Sequence, residues 1–147
     1  MIDNDIKQRQ KIIDAYNIDT KDKKLRDNFG TLYYGYKGQS AIDKILKEGQ
    51  GCAPDAFYRK DLGNIALVWG DDTKGLCHIV KRRIEQGIDI KKFLADLSDV
   101  IENGVSRQNK NSKRFEIWKD GKMAVIDSIK ESDNIMFVLT AFKRKKL

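Results

Sequence analysis

The chain has 147 residues, 40% apolar and 9% aromatic, which is enough for one domain with a genuine core and too apolar for a disordered chain. Lysine and arginine outnumber aspartate and glutamate by 29 to 22; the net charge of +7 favours polyanions, nucleic acid first, although surplus lysine also serves plain solubility. Two cysteines and one histidine exclude a disulfide framework and a zinc centre of three or four such ligands, and no acidic cluster calls for another cation.

The start, MIDNDIKQRQ, is too charged for a signal peptide, and no apolar run approaches a membrane span, so a soluble chain without its own export device is expected. Residues 4–16, NDIKQRQKIIDAY, read as an amphipathic helix with Ile6, Ile12, Ile13 and Tyr16 on its apolar side. NIDTKDKKLRDNFGT is polar and indecisive, and LYYGYKG reads as an extended piece or turn. A helix is expected at QSAIDKILKEG: Ser40 caps it, Ile42, Ile45 and Leu46 share a face, and Gly49 ends it. The stretch GQGCAPDAFYRKDLG holds the only proline, Pro54, and reads as a loop. It is the best boundary between an N-terminal helical extension, residues 1–54, and a second domain, residues 55–147.

NIALVW, residues 64–69, has strand character. Asp72 or Thr73 then caps a helix that runs to about Gln86 and stops at Gly87. DIKKFLADLSDVIENG, residues 89–104, is the strongest amphipathic helix, with Ile90, Phe93, Leu94, Leu97, Val100 and Ile101 on its core face. VSRQNKNSK reads as a basic loop. Strands follow at 114–119, 122–129 and 135–143, the first two joined by Asp120-Gly121, a two-residue hairpin signal. The expected class is α+β, with helices packed on one face of a mainly antiparallel twisted sheet, behind the N-terminal helical extension.

The single histidine lies in GLCHIVKRR. On a helical wheel Leu76, Val80 and Ile84 form the apolar stripe, with Arg83 turned toward its edge. His78 falls opposite that stripe, among Lys74, Lys81 and Arg82, which argues against a core histidine. A solvated histidine on a charged helix is the plain alternative. The functional alternative is a base beside cations that hold a phosphate: an imidazole exchanges a proton at neutral pH, and nearby cations favour its neutral form. RNA supplies its own nucleophile, the 2′-hydroxyl, so a metal-free ribonuclease needs a base, an acid and cations for the charge that develops on phosphorus.

A second cluster lies in the meander. Arg114, Glu116 and Trp118 share one strand parity, while Thr140 and Phe142 are expected on one face with Met136 and Val138. Thr140 reads either as an ordinary β-branched strand residue or as a hydroxyl that bonds a phosphate. The tail KRKK, residues 143–146, is a solvated end or a backbone-tracking cation run. Trp118 is assigned to the core ahead of base stacking.

DLGNIALVWGD, then GLCHIVKRR, an amphipathic helix and a terminal FVLTAFKRK together resemble a phage-associated branch of the barnase–EndoU–colicin–RelE nuclease superfamily, over roughly residues 55–147. The lead-in APDAFYRKDLG looks like that of the same branch. The resemblance implies a barnase/RelE-like ribonuclease domain that cuts RNA, tRNA among the candidates, without a metal or cofactor. Attack by the 2′-hydroxyl would leave a 2′,3′-cyclic phosphate. It implies His78 as general base or acid, Arg82 as a phosphate-binding cation and Thr140 as a phosphate-positioning group. Lys81, Arg114 and Lys143 join them as substrate-binding residues on charge and position. Cys77 stands where a small residue such as Ala is usual, and the glutamate that serves as base in barnase has no clear counterpart here. The resemblance further implies a toxin module at the C-terminus of a larger toxin or phage protein, Met1 then being an introduced start. Such a module would act in the cytoplasm of a target bacterial cell and have a cognate immunity protein. Two other readings stand beside it: a noncatalytic RNA- or DNA-binding module in which His78 is incidental, and a structural or interaction domain of a phage particle.

Overall fold

Period-two alternation dominates the last third of the chain, and the meander it calls for is present. A computed structural model of the protein describes residues 8–9, 21–129 and 132–143. The helix read at 4–16 lies outside the described residues except for Gln8 and Arg9, which are helical, and tail residues 144–147 also lie outside them. The described residues form helices α1 (Lys21–Phe29), α2 (Gln39–Glu48), α3 (Gly75–Glu85) and α4 (Ile90–Asn103). The strands are β1 (Cys52–Arg59), β2 (Gly63–Val68), β3 (Val105–Gln108), β4 (Phe115–Lys119), β5 (Lys122–Ile129) and β6 (Ser132–Lys143). They make one sheet in the order β1-β2-β6-β5-β4-β3, antiparallel except where β2 meets β6. The class is α+β, as expected, with a barnase/RelE-like arrangement of helices ahead of and against a mostly antiparallel sheet.

The two sheet faces bury different residues. Ile65 and Leu67 of β2, Ile117 of β4, Ala124 and Ile126 of β5 and Val138 and Ala141 of β6 meet Ala41, Ile42 and Ile45 of α2, Leu76 and Ile79 of α3, and Phe93, Leu97 and Ile101 of α4. Each fully buried leucine, isoleucine, valine or phenylalanine among them contributes roughly 1.5–3 kcal/mol by leaving water. On the opposite face Leu25 of α1 packs with Cys52, Ala66, Val68 and Phe137. We call these the inner face and the α1 face. Helices α1 and α2, from the expected extension, thus contribute to the two buried clusters.

Three local expectations are corrected. The stretch read as a loop around Pro54 is β1, an edge strand paired with β2. Proline lacks an N–H, and it is accommodated here because the β1–β2 register shifts between Ala53 and Phe57. VSRQ, also read as loop, is the edge strand β3, paired with β4 from Val105↔Trp118 to Gln108↔Phe115. Helix α2 is capped by Gly38 and not by Ser40, whose hydroxyl instead accepts from the Lys37 N–H at 3.0 Å. Other expectations hold. Gly49 ends α2 in the left-handed region, its N–H donating to Ile45. Asp89, not foreseen as a cap, caps α4 by accepting from the Lys92 N–H. Asp120 and Gly121, at φ 49° and 77°, turn the β4–β5 hairpin.

Candidate active site

The turn WGDDTKG between β2 and α3 sets up the histidine. Gly70 and Gly75 both have positive φ, 71° and 80°. A Cβ on Gly70 would lie 2.1 Å from the Lys74 carbonyl oxygen, and one on Gly75 2.7 Å from that of Trp69, so the turn closes only with glycine at these points. Asp71 holds the turn from inside: its Oδ1 accepts from the Thr73 N–H at 2.8 Å and the Thr73 hydroxyl at 2.6 Å. Those hydrogen bonds lower the Asp71 pKa. The N-cap of α3 is Lys74, in extended backbone and without a side-chain capping bond, where Asp72 or Thr73 was expected. Asp71 is occupied within the turn, and Asp72 serves α3 differently.

His78 Nδ1 lies 2.8 Å from the carbonyl oxygen of Asp72. A carbonyl only accepts, so the neutral ring carries its proton on Nδ1 and keeps its lone pair on Nε2. The Asp72 carboxylate meanwhile pairs with Lys81 Nζ at 2.5 Å, one turn past His78, and this raises the Lys81 pKa. One residue therefore fixes the imidazole with its backbone and the ammonium with its side chain. Arg82, at i+4 from His78 and so on the same helical face, is exposed, 3.5 Å from Glu85.

The buried side of α3 differs from the wheel. Ile84, expected in the apolar stripe, is 55% exposed, and Arg83, expected at the edge of that stripe, is 5% exposed and goes fully inside. The reason is a strand edge. Strand β2 pairs with β6 only at Met136 and Phe137, which leaves the later residues of β6 unpaired on that side, and α3 covers them. Arg83 Nη1 donates to the Ala141 carbonyl at 2.5 Å, and its guanidinium carbon stands 5.9 Å from the centroid of the Phe142 ring. Its Nε is buried without a partner among the described residues, and burial lowers its pKa.

Thr140 is also relocated. Val125 pairs with Thr140 and Ile126 with Val138, so Leu139 is an extra residue in β6. The bulge moves Thr140 away from the face of Val138, which is buried in the inner core, and onto the α1 face beside Leu139. There it ends a cross-strand row, Arg107–Glu116–Val125–Thr140. Trp118 lies half-buried on this face too, its neighbour Ile117 being the core residue.

Arg114 stands at the edge of a cleft of about 400 Å³ on the α1 face, 3.4 Å from Asp127, with Thr73, Lys74 and Leu139 also lining it. Lys74 lies one turn before His78. Five of the six expected site residues, His78, Lys81, Arg82, Arg114 and Thr140, thus sit on α3 or on the α1 face along its border, although among the described residues no hydrogen bond joins His78 to Arg114 or Thr140. Lys143 is placed apart. Alternation from Ala141 puts it on the inner face, opposite Lys122, whose ammonium pairs with Asp96 of α4 at 3.2 Å. Sequence reasoning missed Thr73, Asp127 and α1 itself as parts of this region. Lys74 was visible only as one more basic neighbour of the histidine.

Cys52 is fully buried, and burial pushes its thiol up to about 12, so it is not a thiolate nucleophile. Among the described residues no three His, Cys, Asp or Glu side chains are grouped to hold a metal ion, and no helix is long and apolar enough to cross a membrane.

The family model described as phage-Barnase-EndoU-ColicinE5/D-RelE like nuclease 1 matches residues 56–147, from within β1 onward and more than half of the chain. No curated protein matches the chain.

Proposed function

The chain belongs to this phage nuclease family and is an enzyme acting on nucleic acid, and from that premise we propose that it is a metal-independent endoribonuclease toxin. The observation that carries the reading is the hydrogen bond from His78 Nδ1 to the Asp72 carbonyl, which leaves Nε2 as a base. In the proposed reaction Nε2 takes the proton of a ribose 2′-hydroxyl. The 2′-oxygen attacks phosphorus, the 5′-oxygen of the next nucleotide leaves and gains a proton from solvent, and a 2′,3′-cyclic phosphate remains. Arg82 and Lys81, on the same helical surface, offset the charge that develops on the phosphoryl oxygens. Thr140 positions the phosphate from β6, and Arg114 binds the neighbouring one. Lys143, on the other face, would meet RNA only beyond the scissile bond. The nuclease unit is residues 55–147, and the chain acts in the cytoplasm of a target bacterium, where a cognate immunity protein restrains it. Transfer RNA is the substrate to try first.

A denaturing gel of total RNA and of tRNA, incubated in EDTA with wild-type protein and with His78→Ala, tests this. Discrete fragments that survive EDTA and are absent with the variant are expected. Intact RNA, shifted equally by both proteins on a native gel, would replace the ribonuclease with a noncatalytic RNA-binding module.

A further inference from the structure

The cleft on the α1 face has a wall that the family match does not reach. Helix α1 supplies Asn28 and Phe29 to it, whereas the matched region supplies Lys74, Arg114, Asp127 and Leu139. This wall is fixed in place. Leu25 is fully buried against Cys52, Ala66, Val68 and Phe137, and the Phe29 and Phe137 rings lie 4.9 Å apart at 56°. At the start of α1, Lys21 pairs with Asp55 of β1, and Asp22 accepts from the Tyr34 hydroxyl at 3.0 Å.

The lining has the chemistry of a nucleotide. Phe29, Phe137 and Leu139 give an apolar floor for the face of a base. Lys74, four residues before His78, and Arg114, just ahead of β4, bring two cations to the lining, where they can hold the phosphates on either side of a bound base. Asn28 donates one Nδ2 hydrogen to the Lys24 carbonyl at 2.8 Å, which leaves its other N–H and its Oδ1 for a ligand. Asp127 Oδ1 accepts from the Ser128 N–H at 2.8 Å and Oδ2 pairs with Arg114 at 3.4 Å, so each carboxylate oxygen retains an acceptor site. An amide and a carboxylate beside an apolar floor can read the hydrogen-bonding edge of a base, which phosphate-binding lysines cannot do. A cleft of about 400 Å³ is in the range of small-molecule sites.

We propose that α1 and the sheet together form a nucleotide-binding subsite that selects the base flanking the scissile phosphate, with Asn28 and Asp127 reading its edge and Phe29 and Leu139 supporting its face. The inference rests on the ribonuclease reading for the word scissile, and on the cleft for everything else.

The test is therefore a binding measurement. Fluorescein-labelled oligo(A), oligo(C) and oligo(U) hexaribonucleotides are titrated by anisotropy into the full His78→Ala chain, alone and combined with Asn28→Ala, Phe29→Leu or Arg114→Gln, with thermal unfolding of each variant checked. The His78→Ala chain should prefer one base by about 10-fold. Asn28→Ala and Phe29→Leu should each bring that ratio to within about 2-fold, while Arg114→Gln weakens all three oligonucleotides alike and lowers the salt dependence. A ratio unchanged in both Asn28→Ala and Phe29→Leu, or no preference at the outset, overturns the subsite even if RNA is cleaved. A preference that depends on Asn28 stands even if no cleavage is ever seen, in which case the ribonuclease reading is the one that falls.

Discussion

Two arginines are buried among the described residues, and their surroundings differ. Arg59, at the corner where β1 meets the end of α4, uses nearly all its donors: Nη1 bonds the carbonyls of Ile101 and Gly104, both at 2.8 Å, while Nε and Nη2 form a fork on Asp61 at 2.9 and 3.1 Å. Arg83, where α3 lies on β6, meets no carboxylate among the described residues. It bonds one strand-edge carbonyl and keeps a buried Nε unpaired among the described residues. A planar guanidinium can tie several acceptors of a corner together, and Arg59 binds two carbonyls and a carboxylate, so that corner is a structural clamp. The α3–β6 seam is left with the uncompensated charge of Arg83, beside an exposed Arg82 that meets Glu85 only at 3.5 Å and an imidazole whose lone pair is on Nε2. A seam that only held the fold together would be expected to pair its cations as the Arg59 corner does.

The comparison is sharpest where its two sides should respond in opposite currencies, rate and stability. His78→Ala should lower RNA cleavage by about 10²- to 10⁴-fold, the usual contribution of a positioned base, with an unchanged urea midpoint, because His78 lies outside both buried clusters. Arg59→Met should do the converse. It strands two carbonyls and the Asp61 carboxylate, and a loss of about 3 kcal/mol in urea denaturation is expected, with the cleavage rate per folded molecule preserved. A cleavage loss from Arg59→Met as large as that from His78→Ala would erase the distinction between clamp and site.

Gly75→Ala probes the joint that orients the seam. At φ 80° an added Cβ would also meet the Val68 carbonyl oxygen at 2.8 Å. The left-handed backbone alone costs about 1–2 kcal/mol, so a drop of about 2 kcal/mol in stability and a measurable loss of cleavage should appear together as the start of α3 moves. Arg83→Met is the closest control for Arg59→Met. It exchanges a desolvated, under-bonded cation for an apolar chain of similar length, and the change should stay within about 1 kcal/mol in either direction. Equal costs for the two methionine variants, read from the same denaturation series, would break the comparison.

The two regions were also unequally legible in the sequence. Helix α4, beside the Arg59 corner, was readable nearly to its ends, because six apolar residues keep helical spacing between Asp89 and Gly104. The Asp120-Gly121 hairpin was readable because few sequences accept two positive φ angles in succession. At the seam the same reasoning picked out His78 and its cations and turned Arg83 only to the edge of the apolar stripe, while it wrongly put Ile84 within it. Hydropathy assigns arginine to water and isoleucine to the core, and it cannot see an unpaired strand edge that needs a donor. Thr140 was put on the wrong face because a single bulge residue, Leu139, inverts the alternation beyond it. Helix α1 escaped notice because one buried leucine in nine residues makes no periodic pattern; its place is set by the cluster it covers.

The smallest expected effect lies within the clamp. Hydrogen bonds and charge from Arg59, with a further hydrogen bond from Ser106, lower the Asp61 pKa to about 2. A carboxyl held below its unfolded value near 3.9 binds more protons in the unfolded chain than in the folded one. Its contribution to stability is therefore complete above about pH 4 and fades as pH falls toward about 2. Asp61 is 46% exposed, so screening by water keeps the contribution below about 1 kcal/mol. Comparing wild type with Asp61→Asn by urea denaturation at stepped pH should show a constant difference above about pH 4 that closes toward about pH 2. In an Arg59→Met background the difference should be nearly absent throughout. A gap that survived there would assign the lowered pKa to Ser106 and leave the guanidinium fork with no electrostatic role at this corner.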